Sequence, residues 1–355
     1  MSIQESAYRP QLDGVRAFCI LFTVCNHAPG MPSWINGSVG VDVFFALSGW
    51  LITWLLMSER QSTGGVDLRA FYIRRVFRIV PLYLLAVGLY CAASILMLAL
   101  RNPQDWAQFK SALPYLLTFN SEYRSAAAGD IFGHAWTLGI EEKFYIAWPA
   151  AVFLAGRRVW PAFVVAVVVS LVLIWISGGS AYTLRGYIGL GFGAALAVAA
   201  SRNLELMRVL SAPMIGVVAL AAMVVAYVGS IFIPQAYAWN LLISFSSAFF
   251  IAALWFNGNT HLARALSLKP LEFAGKLTYG MYLLHVLSFN AVSLAFNKMV
   301  GSAYPHFFVL VIGYLLTLAG AYLLHLLVER PLIGMGRRIA KARSGASTKL
   351  ASQPS

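Results

Sequence analysis

The chain has 355 residues, of which 60% are hydrophobic and 11% are charged, and its mean hydropathy is +0.73. This composition excludes a soluble enzyme or a soluble binding module. The formal net charge of +13 does not indicate nucleic-acid binding, because the basic residues are concentrated in alternate loops between apolar segments.

Apolar segments long enough to cross a membrane predict an all-α, polytopic membrane protein with about ten transmembrane helices. They lie near residues 12–28, 39–57, 79–100, 137–155, 159–176, 182–200, 213–232, 237–256, 277–299 and 306–328. The excess of Lys and Arg in alternate loops predicts that both termini are cytoplasmic. We expect one transmembrane domain over residues 1–335 and a basic, disordered cytoplasmic tail over residues 336–355. The longest outer loop, about 101–135, is long enough to cover an outward-facing site but too short to be an independent domain.

The first apolar segment, "LDGVRAFCILFTVCNHA", contains Asp13, Arg16 and His27. Ionisable groups in a membrane cost about 2.5 to 3.5 kcal/mol each on insertion scales, so they usually face a cavity or a partner. Arg16 and His27 are eleven residues apart, which places them on one helix face about 16 Å apart along the axis. This face is predicted to line an internal passage. The alternative is an Asp13–Arg16 pair that fixes the helix at the inner interface, with His27 in water.

Three arginines, Arg74, Arg75 and Arg78, precede the third apolar segment in "FYIRRVFRIVP". Arg74 and Arg78 are predicted to share a helix face. Guanidinium groups suit phosphate recognition because they are planar, bidentate donors that stay charged. The alternative is that the cluster only anchors the loop to anionic lipid.

The fourth span begins within "HAWTLGIEEKFYIAWP", which contains Glu141 and Glu142. Adjacent helix positions point about 100° apart, so only one of the two, Glu141, is predicted to face inward. His285 in the ninth span and Glu329 at the end of the tenth have ordinary structural explanations, as a packing histidine and a helix-terminating residue.

Cys19, Cys25 and Cys91 lie in apolar runs without the spacing of disulfide or zinc sites, so neither redox chemistry nor a metal is expected.

Six motifs in the same order resemble the integral-membrane acyltransferase-3 family, over roughly residues 8–335. They are "LDGVRAFCILFTVCNH", "GVDVFFALSGWLIT", "FYIRRVFRIVPLY", "HAWTLGIEEKFYIAWP", "LTYGMYLLH" and "ERPL". The resemblance implies a bacterial inner-membrane O-acetyltransferase. Its donor would be cytoplasmic acetyl-CoA or another acyl-CoA, and its acceptor a hydroxyl of a cell-surface or exported carbohydrate, free or lipid-linked.

The resemblance also implies roles for residues. Arg16 and His27 become a functional pair, and the three arginines a donor-binding motif. His134 and Trp136 are assigned to substrate binding, Glu141 to the fourth-span catalytic motif, and Asp13, His285 and Glu329 to further motif positions.

We expect His27 to act as the general base, because a neutral imidazole can take a proton from an attacking hydroxyl. An inward carboxylate, either Asp42 or Glu141, is expected to orient its ring. The leading alternative function is transport of a lipid-linked sugar or an organic anion along the same internal charges. The oligomeric state is left open.

Overall fold

The computed structural model describes residues 8–32, 34–100, 103–124, 131–155, 181–233, 237–301 and 305–351. Within these ranges the secondary structure is helical, and no strand is present. The helices are α1 (Pro10–Asn26), α2 (Ser38–Thr63), α3 (Leu68–Ala99), α4 (Pro103–Leu117), α5 (Trp136–Ala155), α6 (Ala181–Arg202), α7 (Leu204–Leu210), α8 (Pro213–Phe232), α9 (Tyr237–Phe256), α10 (His261–Leu266), α11 (Lys269–Lys276), α12 (Thr278–Val300), α13 (His306–Leu324) and α14 (Arg330–Ala351). Short 3₁₀ turns occupy Ser121–Tyr123 and Gly133–Ala135, and a π-helical turn at His325–Glu329 joins α13 to α14.

Seven helical stretches of the described chain are long and apolar enough to cross a membrane. They lie in α2, α3, α6, α8, α9, α12 and the continuous α13–α14 rod. The prediction of an all-α polytopic membrane protein is therefore confirmed. Helix α1 is 17 residues long and α5 carries three adjacent charged residues, which keeps both outside this set. The predicted span at 159–176 lies outside the described residues, so the total of ten stays a prediction, as does the side of the termini.

A tight turn connects α2 to α3, and apolar side chains of the two helices belong to one buried cluster. Helix α2 ends at Gly64, which has a φ of +80° and donates its N–H to the carbonyl of Arg60. Glycine adopts such left-handed geometry without the steric cost that a Cβ brings. Asp67 then caps α3, because its carboxylate accepts a hydrogen bond of 2.9 Å from the backbone N–H of Ala70.

Helix α2 lies at the centre of the bundle and packs against α1, α5, α6 and α9. Its contact with α6 depends on two glycines. A Cβ at Gly49 would overlap the carbonyl oxygen of Leu190, and one at Gly193 would overlap that of Ala46. Small residues let transmembrane helices approach until their backbones touch, so this pair forms a closely packed frame for the site.

The structure differs from the sequence prediction in two peripheral regions. The predicted outer loop contains α4, whose Phe109 and Leu116 are buried against the bundle, because its apolar residues recur at helical spacing. The tail, for which the sequence predicts disorder from residue 336, is helical as far as Ala351. Helix α14 is held against α3, with Ala340 buried, so packing offsets its polar composition.

Candidate active site

A cavity of about 230 Å³ lies among α1, α2, α3, α5 and α12. It contains three guanidinium groups, two carboxylates and several hydroxyl groups, together with an apolar wall from α2. The polar lining residues are Arg16, Ser48, Arg75, Arg78, Thr137, Glu141, Glu142, Tyr145, Thr278, Tyr279 and Tyr282. A group of arginines beside an apolar wall suits a ligand that is anionic at one end and apolar along the rest of its length.

The structure groups the arginines of α3 differently from the sequence prediction. Arg75 and Arg78 line the cavity with Arg16, whereas Arg74 lines a separate groove. The cavity lies over the face between positions 75 and 78, which point about 60° apart, while position 74 points about 100° away from position 75. The guanidinium of Arg75 is held 4.9 Å from the centre of the Tyr145 ring. Arg74 and Arg78 share a helix face, about 40° apart, as the sequence predicts, but of these two only Arg78 lines the cavity, together with Arg75.

Arg16 is oriented by a hydrogen-bonded chain at the N-terminal end of α1. Its Nη1 donates to Oδ1 of Asp13 at 2.8 Å, and Oδ2 of Asp13 lies 2.6 Å from the Tyr8 hydroxyl. The same hydroxyl lies 2.9 Å from Oε1 of Glu272, and burial with these hydrogen bonds raises the pKa of Tyr8. Hydrogen bonds from Lys276 and Tyr8 lower the pKa of Glu272. Asp13 thus pairs with Arg16, while Arg16 still lines the cavity.

Both Glu141 and Glu142 line the cavity, although the sequence predicts that only one of them faces inward. The prediction is wrong because the cavity extends around a wide arc of α5 rather than meeting one narrow face. The two carboxylates are not paired as an acid and a base. Oε1 of Glu141 accepts a hydrogen bond from Ser48 Oγ at 2.9 Å, and its Oε2 lies 3.1 Å from the Tyr145 hydroxyl.

Several cavity residues are absent from the sequence-based assignment. Ser48 has no predicted role in the site, yet it hydrogen-bonds Glu141 and lies 3.0 Å from the Tyr145 hydroxyl. The sequence does contain a pattern that indicates some of these cavity residues. Thr137, Glu141 and Tyr145 are spaced four residues apart, which places three polar side chains on one face of α5.

Three histidines from distant segments form a second cluster, which we call the histidine cluster: His27, His134 and His285. The ring centroids of His27 and His285 are 4.8 Å apart, those of His134 and His285 are 4.6 Å apart, and those of His27 and His134 are 6.2 Å apart. His27 is exposed, whereas His134 and His285 are buried. His27 is therefore the member of the cluster that an incoming molecule can reach.

The His27 ring is oriented by its own helix. Its Nδ1 lies 2.8 Å from the backbone oxygen of Thr23. A carbonyl oxygen only accepts hydrogen bonds, so Nδ1 carries the proton, and in the neutral ring Nε2 carries the lone pair. The sequence predicts that Asp42 or Glu141 orients this ring. The Thr23 carbonyl does so instead, because Asp42 binds Arg185 and Glu141 binds the hydroxyls of the cavity.

Tyr282 stands between the cavity and the histidine cluster. It lines the cavity, its hydroxyl donates to the backbone oxygen of His134 at 2.6 Å, and it lies 2.7 Å from Thr137 Oγ1. Its ring centroid is 5.2 Å from that of His134 and 5.7 Å from that of His285. The cationic cavity and the histidines thus meet at one side chain.

Two further predicted site residues lie in other surroundings. Trp136 packs in an apolar cluster, 5.9 Å from the ring of Phe45. Glu329 is buried in the π-helical turn, where its Oε2 lies 2.9 Å from Nδ1 of His325. Their assigned roles stay predictions. Within the described ranges, no group of three or more His, Cys, Asp and Glu side chains is arranged to hold a metal ion.

Asp42 is expected to stabilise the bundle rather than to act on a substrate. It is fully buried, and both its oxygens accept hydrogen bonds from Arg185 of α6. Asp42→Ala leaves a desolvated guanidinium unpaired, which should lower the free energy of unfolding by about 3–5 kcal/mol. Thermal unfolding of the purified protein in detergent measures this. The double variant Asp42→Leu/Arg185→Met should recover most of the loss, and a single variant as stable as the unmodified protein would contradict the assignment.

Comparison with known proteins agrees with this architecture. The family model for the acyltransferase domain matches residues 9–326. The chain therefore belongs to the acyltransferase-3 family, and the protein is a multi-pass membrane protein of that family.

Two curated relatives match almost the whole chain. The O-acetyltransferase OatA of Staphylococcus aureus is 28% identical over 357 residues, which cover 92% of this chain and 57% of the relative. The putative peptidoglycan O-acetyltransferase YrhL of Bacillus subtilis is 28% identical over 371 residues, which cover 94% and 56% of the two chains. The chain thus spans little more than half the length of these relatives. No solved structure matches it significantly.

Proposed function

We propose that this protein is a membrane O-acetyltransferase that moves an acetyl group from cytoplasmic acetyl-CoA to a hydroxyl of a cell-envelope carbohydrate. Family membership and the names of the relatives support this reaction class. The observation that carries the proposal is the meeting of an arginine-lined cavity with a histidine cluster at Tyr282. A transporter explains the internal charges equally well but gives no reason for this junction.

The arginine-lined cavity suits the donor. Acetyl-CoA is anionic at its phosphate-bearing end and carries its thioester on a flexible arm. Arg16, Arg75 and Arg78 would bind phosphate oxygens as charged, bidentate donors. Arg16 and His27 lie about 16 Å apart along α1, a separation that an extended arm can span. Glu141, held by Ser48 and Tyr145, would shape the polar wall along which the arm lies.

His27 would act as the general base. Its Nε2 takes the proton of the acceptor hydroxyl while that oxygen attacks the thioester carbonyl carbon. A carbon–oxygen bond forms and the carbon–sulfur bond breaks, so the product is an acetyl ester. The departing CoA thiolate takes the proton from Nε2, which regenerates the neutral ring. The hydrogen bond from Nδ1 to the Thr23 carbonyl keeps the Nδ1 proton in place throughout, so that only Nε2 exchanges a proton.

The membrane orientation follows from the distribution of charge. With the basic loops inside, the Arg16 end of α1 faces the cytoplasm and the His27 end faces outward. The donor then stays on the side where it is made, and the acceptor approaches from outside the bacterial inner membrane. The name of one relative makes peptidoglycan the first acceptor to test, ahead of other surface polysaccharides and lipid-linked sugars.

Purified protein reconstituted in vesicles should transfer label from radiolabelled acetyl-CoA to a glycan acceptor. The expected product is a glycan that carries a base-labile acetyl ester, detected by chromatography and mass spectrometry. Candidate acceptors are peptidoglycan fragments, exopolysaccharide and lipid-linked oligosaccharide, and empty vesicles are the control. Uptake of a sugar or an organic anion without label on any glycan would overturn the proposal in favour of transport.

A further inference from the structure

His285 is fully buried, yet one of its polar atoms has no partner. Its Nδ1 lies 2.8 Å from the backbone oxygen of Tyr282, and its Nε2 is enclosed and makes no hydrogen bond within the described part of the chain. Burying a polar atom without a partner is costly, so a pure packing role would be served better by an apolar residue. The unpaired nitrogen therefore requires another explanation.

The tautomer of His285 follows from its contact with Tyr282. A carbonyl oxygen accepts only, so Nδ1 carries the proton and Nε2 carries a lone pair. His27 has the same arrangement, with its proton on Nδ1 and its lone pair on Nε2. Two lone pairs cannot form a hydrogen bond with each other. The neutral rings therefore meet edge to face without one, at a centroid separation of 4.8 Å and an interplanar angle of 74°.

Protonation of His27 changes this relation. Once Nε2 of His27 has taken a proton, it becomes a donor, and the lone pair on Nε2 of His285 can accept from it. Nε2 of His134 is likewise enclosed without a partner in the described part of the chain, but its ring lies farther from His27. Ring nitrogens lie outward from the centroids, so the present separation leaves room for an N–H···N hydrogen bond. A hydrogen bond to a charged donor is stronger than one between neutral groups, and more so away from water.

We infer that His285 is the positioning residue for the protonated state of His27: after the acceptor hydroxyl has given its proton to His27 Nε2, and until the CoA thiolate takes that proton, His285 accepts a hydrogen bond from Nε2–H and stabilises the imidazolium. This inference rests on the proposed function. The Thr23 carbonyl orients the neutral ring, and His285 would stabilise the charged one, since Asp42 and Glu141 are engaged elsewhere. The other titratable groups around the His285 ring are His134 and Tyr282. His134 is farther from His27, with a centroid separation of 6.2 Å.

Two polar substitutions separate this role from a structural one. His285→Asn keeps an amide near the Nδ1 position, where it can still donate to Tyr282, but has no atom at the Nε2 position. His285→Gln reaches the Nε2 position with an acceptor oxygen but gives up the contact with Tyr282. His285→Leu removes both groups and serves as an apolar reference.

We expect kcat for acetyl transfer to fall about 10- to 100-fold in His285→Asn and His285→Leu, as for loss of a hydrogen bond to a charged group. His285→Gln should retain several-fold more activity than His285→Asn. KM for acetyl-CoA should be unchanged in all three, because the arginine-lined cavity is untouched. Thermal unfolding in detergent identifies the folded variants. The test depends only on comparing His285→Asn with His285→Gln, so it remains valid if His285→Leu does not fold.

Two results would overturn the inference while leaving the proposed function intact. The first applies when the unmodified protein is active: His285→Asn retains more activity than His285→Gln. The hydrogen bond to Tyr282 would then be what matters. The second is that His285→Asn and His285→Gln both fold and keep the kcat of the unmodified protein, or change only in KM. Absence of acetyl transfer by the unmodified protein contradicts the proposed function itself, and the inference with it.

Discussion

His27→Ala is expected to abolish acetyl transfer, with a loss in kcat of about 100- to 10,000-fold, while the protein still folds and inserts. The magnitude is that of a general base, which contributes to the transition state and little to substrate binding. The geometry supports the assignment because His27 is the exposed member of the histidine cluster and its Nδ1 is bound to Thr23. Transfer of radiolabelled acetyl groups to the glycan measures the loss.

A matched control distinguishes loss of the base from loss of any histidine. His261 lies in α10, exposed, and its Nδ1 lies 3.1 Å from Nη2 of Arg264, away from both parts of the site. His261→Ala should transfer acetyl groups at the unmodified rate. Binding of acetyl-CoA to His27→Ala should also be preserved. A folded His27→Ala protein with substantial transfer activity would remove His27 from the mechanism.

The double variant Arg75→Ala/Arg78→Ala is expected to weaken acetyl-CoA binding about 100-fold. Each hydrogen-bonded ion contact to phosphate contributes roughly 1.5 to 3 kcal/mol, or about tenfold or more in the dissociation constant. The effect should appear in KM for acetyl-CoA and in direct binding by titration calorimetry. KM for the glycan acceptor should change little, because in the proposed mechanism the acceptor would approach from the His27 end.

Arg74→Ala tests the rearrangement of the arginine cluster. Position 74 belongs to a different groove, so its replacement should weaken donor binding far less than that of Arg75 or Arg78. Equal losses at Arg74 and Arg78 would support the pairing predicted from sequence spacing instead. Unchanged acetyl-CoA affinity in the Arg75/Arg78 double variant would count against phosphate recognition in this cavity.

The arrangement suggests why donor and acceptor need not share one chamber. In the proposed mechanism the arginines bind one end of the donor in the cavity that Tyr282 helps to line, and the Tyr282 ring also lies against the rings of His134 and His285. Only the thioester would then have to reach the histidines. The charged nucleotide would stay out of the apolar part of the bundle, where burying it would be costly.

Much of this could be predicted from sequence because it depends on local order along the chain. Apolar segments identified the membrane helices, and the motifs identified the family. Helical periodicity alone placed Arg16 and His27 at opposite ends of one face of α1. These properties need only the residues of a single helix, or their order along the chain.

Other properties required the tertiary structure. Periodicity relates side chains within one helix, but it does not specify how that helix is rotated against its neighbours. That rotation determines that Arg75, and not Arg74, joins Arg78 in the cavity. The width of the cavity admits both Glu141 and Glu142, which no spacing rule predicts.

The histidine cluster is the clearest case of what the sequence by itself does not determine. Composition and spacing singled out His27, but its neighbours His134 and His285 come from segments more than a hundred residues away. They meet because α1, α12 and the 3₁₀ turn at Gly133–Ala135 pack together. Likewise, Asp42 pairs with Arg185 rather than with His27 because α6 packs on α2. Helices and motifs follow from local sequence, whereas contacts between distant segments follow from how the helices bury their surfaces together.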